Sequence, residues 1–71
     1  MATTTQIKKA FFEQGLEIAY RCWGYEGGRV IAKWDALRGW MHRHETDSEW
    51  SLEGMSEARA GYFFPTDAVL A

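Results

Sequence analysis

The sequence predicts one small α+β domain, and three observations carry that prediction. Apolar residues recur at helical spacing near the amino terminus, and two runs of alternating apolar and polar residues flank the glycine-rich stretch "GYEGG", residues 24–28. The chain has 71 residues, too few for more than one hydrophobic core. Its eleven aromatic side chains each bury a large apolar area, which favours a folded domain. We therefore assign residues 1–71 to a single domain and expect residues 1–5 to be frayed.

The first element is predicted to be a short amino-terminal helix. Thr5 can act as its N-cap, and Ile7, Ala10 and Phe11 fall on one side at helical spacing. Gly15 then supplies a carboxy-terminal stop, since glycine readily adopts the left-handed conformation that ends many helices.

A β-hairpin is predicted over residues 16–34. Residues 16–23 and 29–34 both alternate apolar and polar positions, and the glycines between them suit a turn. An alternative joins residues 29–44 into one helix, because the apolar positions there also match a helical stripe. The hairpin is favoured since the β-branched Val30 and Ile31 suit a strand better than the start of a helix.

Both alternatives predict a helix after Asp35. This residue can cap a helix in which Leu37, Trp40, Met41 and His44 recur at intervals of three and four. The polar residues 45–48, "ETDS", are expected to end it.

The carboxy-terminal third is less uniform. In residues 49–64 Trp50 and Leu52 alternate as in a strand, whereas "SEARA", residues 56–60, has the composition of a helix. "GYFFP", residues 61–65, predicts a short apolar strand or a buried apolar run, closed by Pro65. Thr66 can then cap a final helical turn through "DAVLA", residues 67–71.

The two histidines raise the question of a metal site. His42 and His44 would diverge by about 200° on the predicted helix, given 3.6 residues per turn, and could not share one ion. On a strand they would face the same way, but zinc needs a third protein ligand. The obvious candidates for that ligand are Cys22, Glu45 and Asp47, and they show no characteristic spacing. We expect no metal.

No catalytic or cofactor motif is recognisable. Cys22, the single cysteine, lacks the sequence signature of a thiol enzyme, and the glycines of residues 24–28 lack the order of a phosphate loop. We expect no catalytic residue, no cofactor and no enzyme activity. A lone cysteine forms no intramolecular disulfide, and the sequence shows no signal peptide or membrane span, so the expected location is the cytoplasm.

Charge is distributed unevenly along the chain. Residues 1–44 carry seven bases against four acids, whereas residues 45–71 carry one base against six acids. Five acids fall within residues 45–57 without an intervening base, which predicts an acidic surface for a basic partner unless the bases of the first part neutralise it internally. The predicted partner-binding residues, which include one tryptophan as an exposed anchor, are Glu45, Asp47, Glu49, Trp50, Glu53 and Glu57.

These properties predict a small protein-binding module that occludes a basic surface of a host protein. In size and independence the chain resembles the small inhibitor and accessory proteins of phages and mobile elements, including those that block CRISPR complexes. That resemblance is one of type and transfers no residue. The partner is expected to be a protein and not a membrane. The alternative is a nucleic-acid-binding regulator, because bases and aromatics interleave in and before the hairpin, at Lys8, Lys9, Tyr20, Arg21, Trp23, Tyr25, Arg29, Lys33 and Trp34.

Overall fold

The computed structural model describes residues 2–21 and 28–71 and confirms the α+β class. Its elements are α1 Thr4–Gln14, β1 Ile18–Arg21, β2 Arg29–Asp35, β3 Gly39–His44, β4 Ser51–Leu52, α2 Glu57–Tyr62 and β5 Val69–Leu70. The five strands form one antiparallel sheet in the order β4-β3-β2-β1-β5. The short strands β4 and β5 are therefore the two edges of the sheet.

The register divides the sheet into an inner and an outer face. Ile18 pairs with Ala32 and Trp34 pairs with Trp40, so these side chains share the inner face. Both helices supply side chains to the core on this side, together with Phe64 and Ala68. The intervening residues of each strand point to the outer face, on the side away from the core that α1 and α2 cover.

An aromatic cluster on the inner face forms the centre of the core. Phe11 is fully buried, and its ring centroid lies 4.9 Å from that of Phe12, 4.7 Å from that of Trp40 and 5.6 Å from that of Phe64. The ring planes are tilted or edge-on, as aromatic pairs prefer. Burial of such large rings allows a short chain to form a stable core.

The amino-terminal helix is confirmed, but its cap is Thr3 and not Thr5. The Thr3 hydroxyl accepts a hydrogen bond from the Gln6 backbone N–H, and the Gln6 side chain accepts one from the Thr3 backbone N–H. This reciprocal capping starts the helix at Thr4, within the residues 1–5 that were expected to be frayed. Gly15 ends the helix with a φ of 67°, as predicted.

The hairpin is confirmed as well, and the alternative single helix over residues 29–44 is wrong. β1 and β2 pair antiparallel, with Tyr20 opposite Val30. Inner and outer positions follow the alternation seen in the sequence. The predicted turn, residues 24–28, lies outside the described residues apart from Gly28.

The helix predicted after Asp35 is wrong, because the chain reverses there and returns as β3. The Asp35 carboxylate accepts hydrogen bonds from the backbone N–H groups of Leu37, at 2.8 Å, and Arg38, at 2.9 Å. A tight turn follows, and Gly39 enters β3 with a φ of 82°, a conformation that suits glycine. Leu37, predicted to face the core, is 96% exposed at this turn.

Two predictions near the carboxy terminus are also wrong. Residues 61–62 of the predicted "GYFFP" strand belong to α2, which is capped by the Ser56 hydroxyl and turns Phe64 into the core. Residues 69–70 of the predicted terminal helical turn form β5, which pairs with β1. Within residues 49–60 both tendencies are realised, since the alternating part forms β4 and most of "SEARA" forms α2.

Candidate functional site

The five predicted acids flank the edge strand β4 along the chain. Three of them belong to the loop between β3 and β4, Glu53 follows β4 directly, and Glu57 is the first residue of α2. All five are exposed, namely Glu45, Asp47, Glu49, Glu53 and Glu57. We refer to these five residues as the acidic edge.

Internal ion pairs with the bases of residues 1–44 do not neutralise the acidic edge. Within residues 2–21 and 28–71, no Lys or Arg nitrogen lies within 4.0 Å of one of its carboxylates. One acid of the acidic edge, Glu53, contacts a histidine: its Oε1 lies 3.0 Å from His42 Nδ1. The two atoms are not aligned for a hydrogen bond. Because a neutral imidazole carries no charge, the contact is an ion pair only in the protonated form.

Arg43 holds the loop that carries the first three acids. Its guanidinium Nη1 donates to the backbone carbonyls of Asp47 at 2.9 Å, Glu45 at 3.3 Å and His44 at 3.4 Å. The Asp47 N–H in turn donates to the His44 carbonyl at 2.9 Å. The loop backbone is therefore fastened from within, while its carboxylates remain directed to solvent. Nothing in the sequence pattern indicated this role for Arg43.

Trp50 is half-buried, which corrects the prediction of an exposed anchor. Its ring lies on the outer face of the sheet, with Lys33 Nζ 4.5 Å and Arg43 Cζ 5.0 Å from the ring centroid. Both distances fall within the range of a cation–π contact. Trp50 thus serves as a support that packs the acidic loop onto the sheet.

Beside this support lies a shallow, open depression lined by Asp47, Ser48, Glu49 and Ser51. Its lining is polar and acidic, and it lies against the edge strand. Such a surface suits a flat contact with a macromolecule better than the enclosure of a small ligand, which requires a concave and largely apolar site.

The helix that was expected to point His42 and His44 in different directions does not form. His42 and His44 lie on β3 and face the same side of the sheet. Each ring has a neighbour of its own, since His44 Nδ1 lies 2.7 Å from the Thr46 hydroxyl and His42 contacts Glu53. In the part of the chain that the structure describes, no three His, Cys, Asp or Glu side chains are placed to hold an ion. Cys22 lies outside that part.

The residues of the alternative nucleic-acid surface are divided between two sides of the molecule. Tyr20 and Trp34 point inward and pack on the core, whereas Arg21, Arg29 and Lys33 point to the outer face. Lys8 and Lys9 belong to α1, and Trp23 and Tyr25 lie outside the described residues. Binding of single-stranded nucleic acid would need the aromatic side chains, which stack on nucleobases, and the Lys and Arg side chains, which contact phosphates, on one surface.

Comparison with protein-family models, with curated proteins and with solved structures gave no match. Among the described residues, no helix is long and apolar enough to cross a bilayer. The candidate function therefore depends on the site geometry alone.

Proposed function

We propose that this chain is a non-catalytic binding protein that places its acidic edge against a basic surface of another protein and so occludes it. The observation that carries this proposal is the exposure of all five carboxylates without a Lys or Arg partner among the described residues. Such a surface presents a negative field that steers a positively charged partner and selects against acidic ones.

The support beneath the acidic edge favours binding. A loop that is already ordered loses less conformational entropy on association than a free loop does, and this raises affinity for the same contacts. Three hydrogen bonds from Arg43 and the packing of Trp50 order the loop before any partner arrives.

A protein that binds nucleic acid is the kind of partner that fits, because its phosphate-binding surface is basic. An inhibitor of the type that phages encode against host defence complexes, including CRISPR complexes, would act in this way. Direct binding of nucleic acid is less favoured for two reasons. The acidic edge repels phosphates, and Tyr20 and Trp34 pack on the core at the inner face instead of lying beside the basic residues of the outer face.

The proposal is tested by charge reversal in a loop that tolerates it. Asp47 and Glu49 are exposed, and their side chains make no hydrogen bond or ion pair among the described residues. The double variant Asp47→Lys/Glu49→Lys is compared with wild type as bait in extract of the source organism, treated with nuclease. We expect capture of the partner to weaken by about tenfold, because each exposed ion pair contributes on the order of 0.2–1 kcal/mol and reversal turns attraction into repulsion.

The matched control is Glu13→Lys/Glu17→Lys, which changes the net charge by the same amount at two exposed acids outside the acidic edge. It is expected to retain the partner. Equal loss in both variants would mean that net charge alone matters, and unchanged capture by Asp47→Lys/Glu49→Lys would refute the acidic edge as the binding surface. Recovery of nucleic acid in the untreated extract, lost on nuclease treatment, would favour the alternative.

A further inference from the structure

β4 is an edge strand whose outward side offers backbone groups for pairing. The Glu53 N–H donates to the Trp40 carbonyl at 3.0 Å, so these two residues form a hydrogen-bonded pair, as do His42 and Ser51 two positions along. Leu52 lies between them and therefore directs its N–H and C=O away from β3, toward the free edge. Among the described residues, no group forms a hydrogen bond with the Leu52 backbone there.

The side chains around this edge differ between the two faces of the sheet. Leu52 lies on the outer face opposite Met41 and is 59% exposed. Ser51 lies on the inner face opposite His42, and the acids Glu49 and Glu53 bracket the strand along the chain. A strand laid beside β4 would therefore meet an apolar side chain on one face and carboxylates close by.

We infer that the partner docks by adding an extended segment to β4, with basic and apolar residues in alternation. This inference rests on the proposed function and names the element of the partner that is recognised. The free edge selects an extended backbone, because strand addition supplies main-chain hydrogen bonds. Charge complementarity with Glu49 and Glu53 selects lysine or arginine, and exposed Leu52 selects an apolar neighbour.

The probe is a short blocked peptide in which lysine alternates with valine, added to the full chain and followed by amide hydrogen exchange. The outward Leu52 N–H is expected to exchange rapidly in the free protein and at least about tenfold more slowly with the peptide, since pairing protects it. The same peptide with methylated backbone nitrogens keeps the charge and lacks the donors, and it is expected to bind at least about tenfold more weakly.

A matched pair of protein variants separates backbone pairing from side-chain contact. Leu52→Pro removes the outward donor, while the N–H groups of Ser51 and Glu53 that pair with β3 remain. Leu52→Ala also shortens the side chain but keeps the outward donor. Circular dichroism checks that both fold. The inference requires that Leu52→Pro lowers peptide affinity by about tenfold more than Leu52→Ala does.

The outcomes distinguish this inference from the proposed function. Peptide binding with unchanged exchange at Leu52, or equal binding of the methylated peptide, would show docking by charge alone and overturn strand addition. No peptide binding at all would overturn it too. In each case the proposed function stands if Asp47→Lys/Glu49→Lys still loses the captured partner, and it fails by itself if that variant captures the partner normally.

Discussion

Replacement of Arg43 by methionine tests whether one side chain orders the acidic loop. Methionine keeps much of the apolar stem and removes the three donated hydrogen bonds and the charge over Trp50. One hydrogen bond to a charged group contributes about 1.5–3 kcal/mol to the free energy of unfolding. An exposed cation–π contact contributes about 0.5–1 kcal/mol. Two of the three bonds are long and the carbonyls can turn to water, so we expect a loss of about 1–2 kcal/mol.

That loss is a substantial part of the stability of so small a domain, which is on the order of 4–11 kcal/mol for this length. Urea unfolding followed by circular dichroism is expected to show a midpoint lower by roughly 1 M, given a slope of about 1–2 kcal/mol per M. Exchange of the Asp47 amide, which donates to the His44 carbonyl, reports the loop locally and should accelerate.

The control for this experiment is Arg38→Met, which removes the same charge from an exposed side chain at the turn between β2 and β3. It should leave the exchange of the Asp47 amide unchanged. Arg43→Lys keeps the charge near Trp50 but lacks the planar fork of donors, so it should fall between wild type and Arg43→Met. Unaltered Asp47 exchange in Arg43→Met would refute the view that Arg43 orders the loop.

Two further predictions concern the turns of the sheet. A Cβ at Gly28 would overlap the His44 ring, so Gly28→Ala should destabilise the fold by about 1–3 kcal/mol. In a double-mutant cycle measured by urea unfolding, His44→Ala should relieve most of that loss. Strictly additive effects of the two substitutions would contradict the overlap. The backbone N–H groups of Arg38 and Leu37 hold the pKa of the Asp35 carboxyl below its ordinary value of 3.8. Its contribution to stability is therefore present above pH 3.8 and is lost as the pH falls through the lower folded pKa, and Asp35→Asn should flatten this acid limb in pH-dependent unfolding. An acid limb of the same steepness in Asp35→Asn would contradict this.

The parts of the fold that were predictable from sequence depend on contacts between near neighbours. Ile7, Ala10 and Phe11 mark one side of α1, and Gly15 ends it, because helix periodicity and caps are local properties. The hairpin pairing of β1 and β2 follows from the alternation on either side of the glycine-rich residues 24–28. β5 was not predictable in this way, because Val69 and Leu70 become a strand only by pairing with β1, a contact distant in sequence.

The error over residues 35–44 has a definite physical cause. The Asp35 carboxylate accepts hydrogen bonds from the backbone N–H groups two and three residues ahead. The same hydrogen bonds can cap a helix or close a turn, so an aspartate at this position predicts either structure. Trp40 and Met41 are adjacent and both buried, at 4% and 5% exposure, although they point to opposite faces of β3. Adjacent buried residues suit a helical stripe as well as a strand covered on both sides.

The same two-sided burial explains how the acidic edge came to be supported. Met41 is buried on the outer face, away from α1 and α2, and Trp50, which follows the acidic loop, packs on that face beside Lys33 and Arg43. The loop therefore returns to the sheet at Trp50, and its acids Glu45, Asp47 and Glu49 are exposed to solvent. Trp50 was predicted to contact a partner directly. In the structure it packs the acidic loop onto the sheet, and the carboxylates of that loop are the groups available for the contact. A variant that loosens Trp50 should thus weaken partner capture even though Trp50 itself is half-buried.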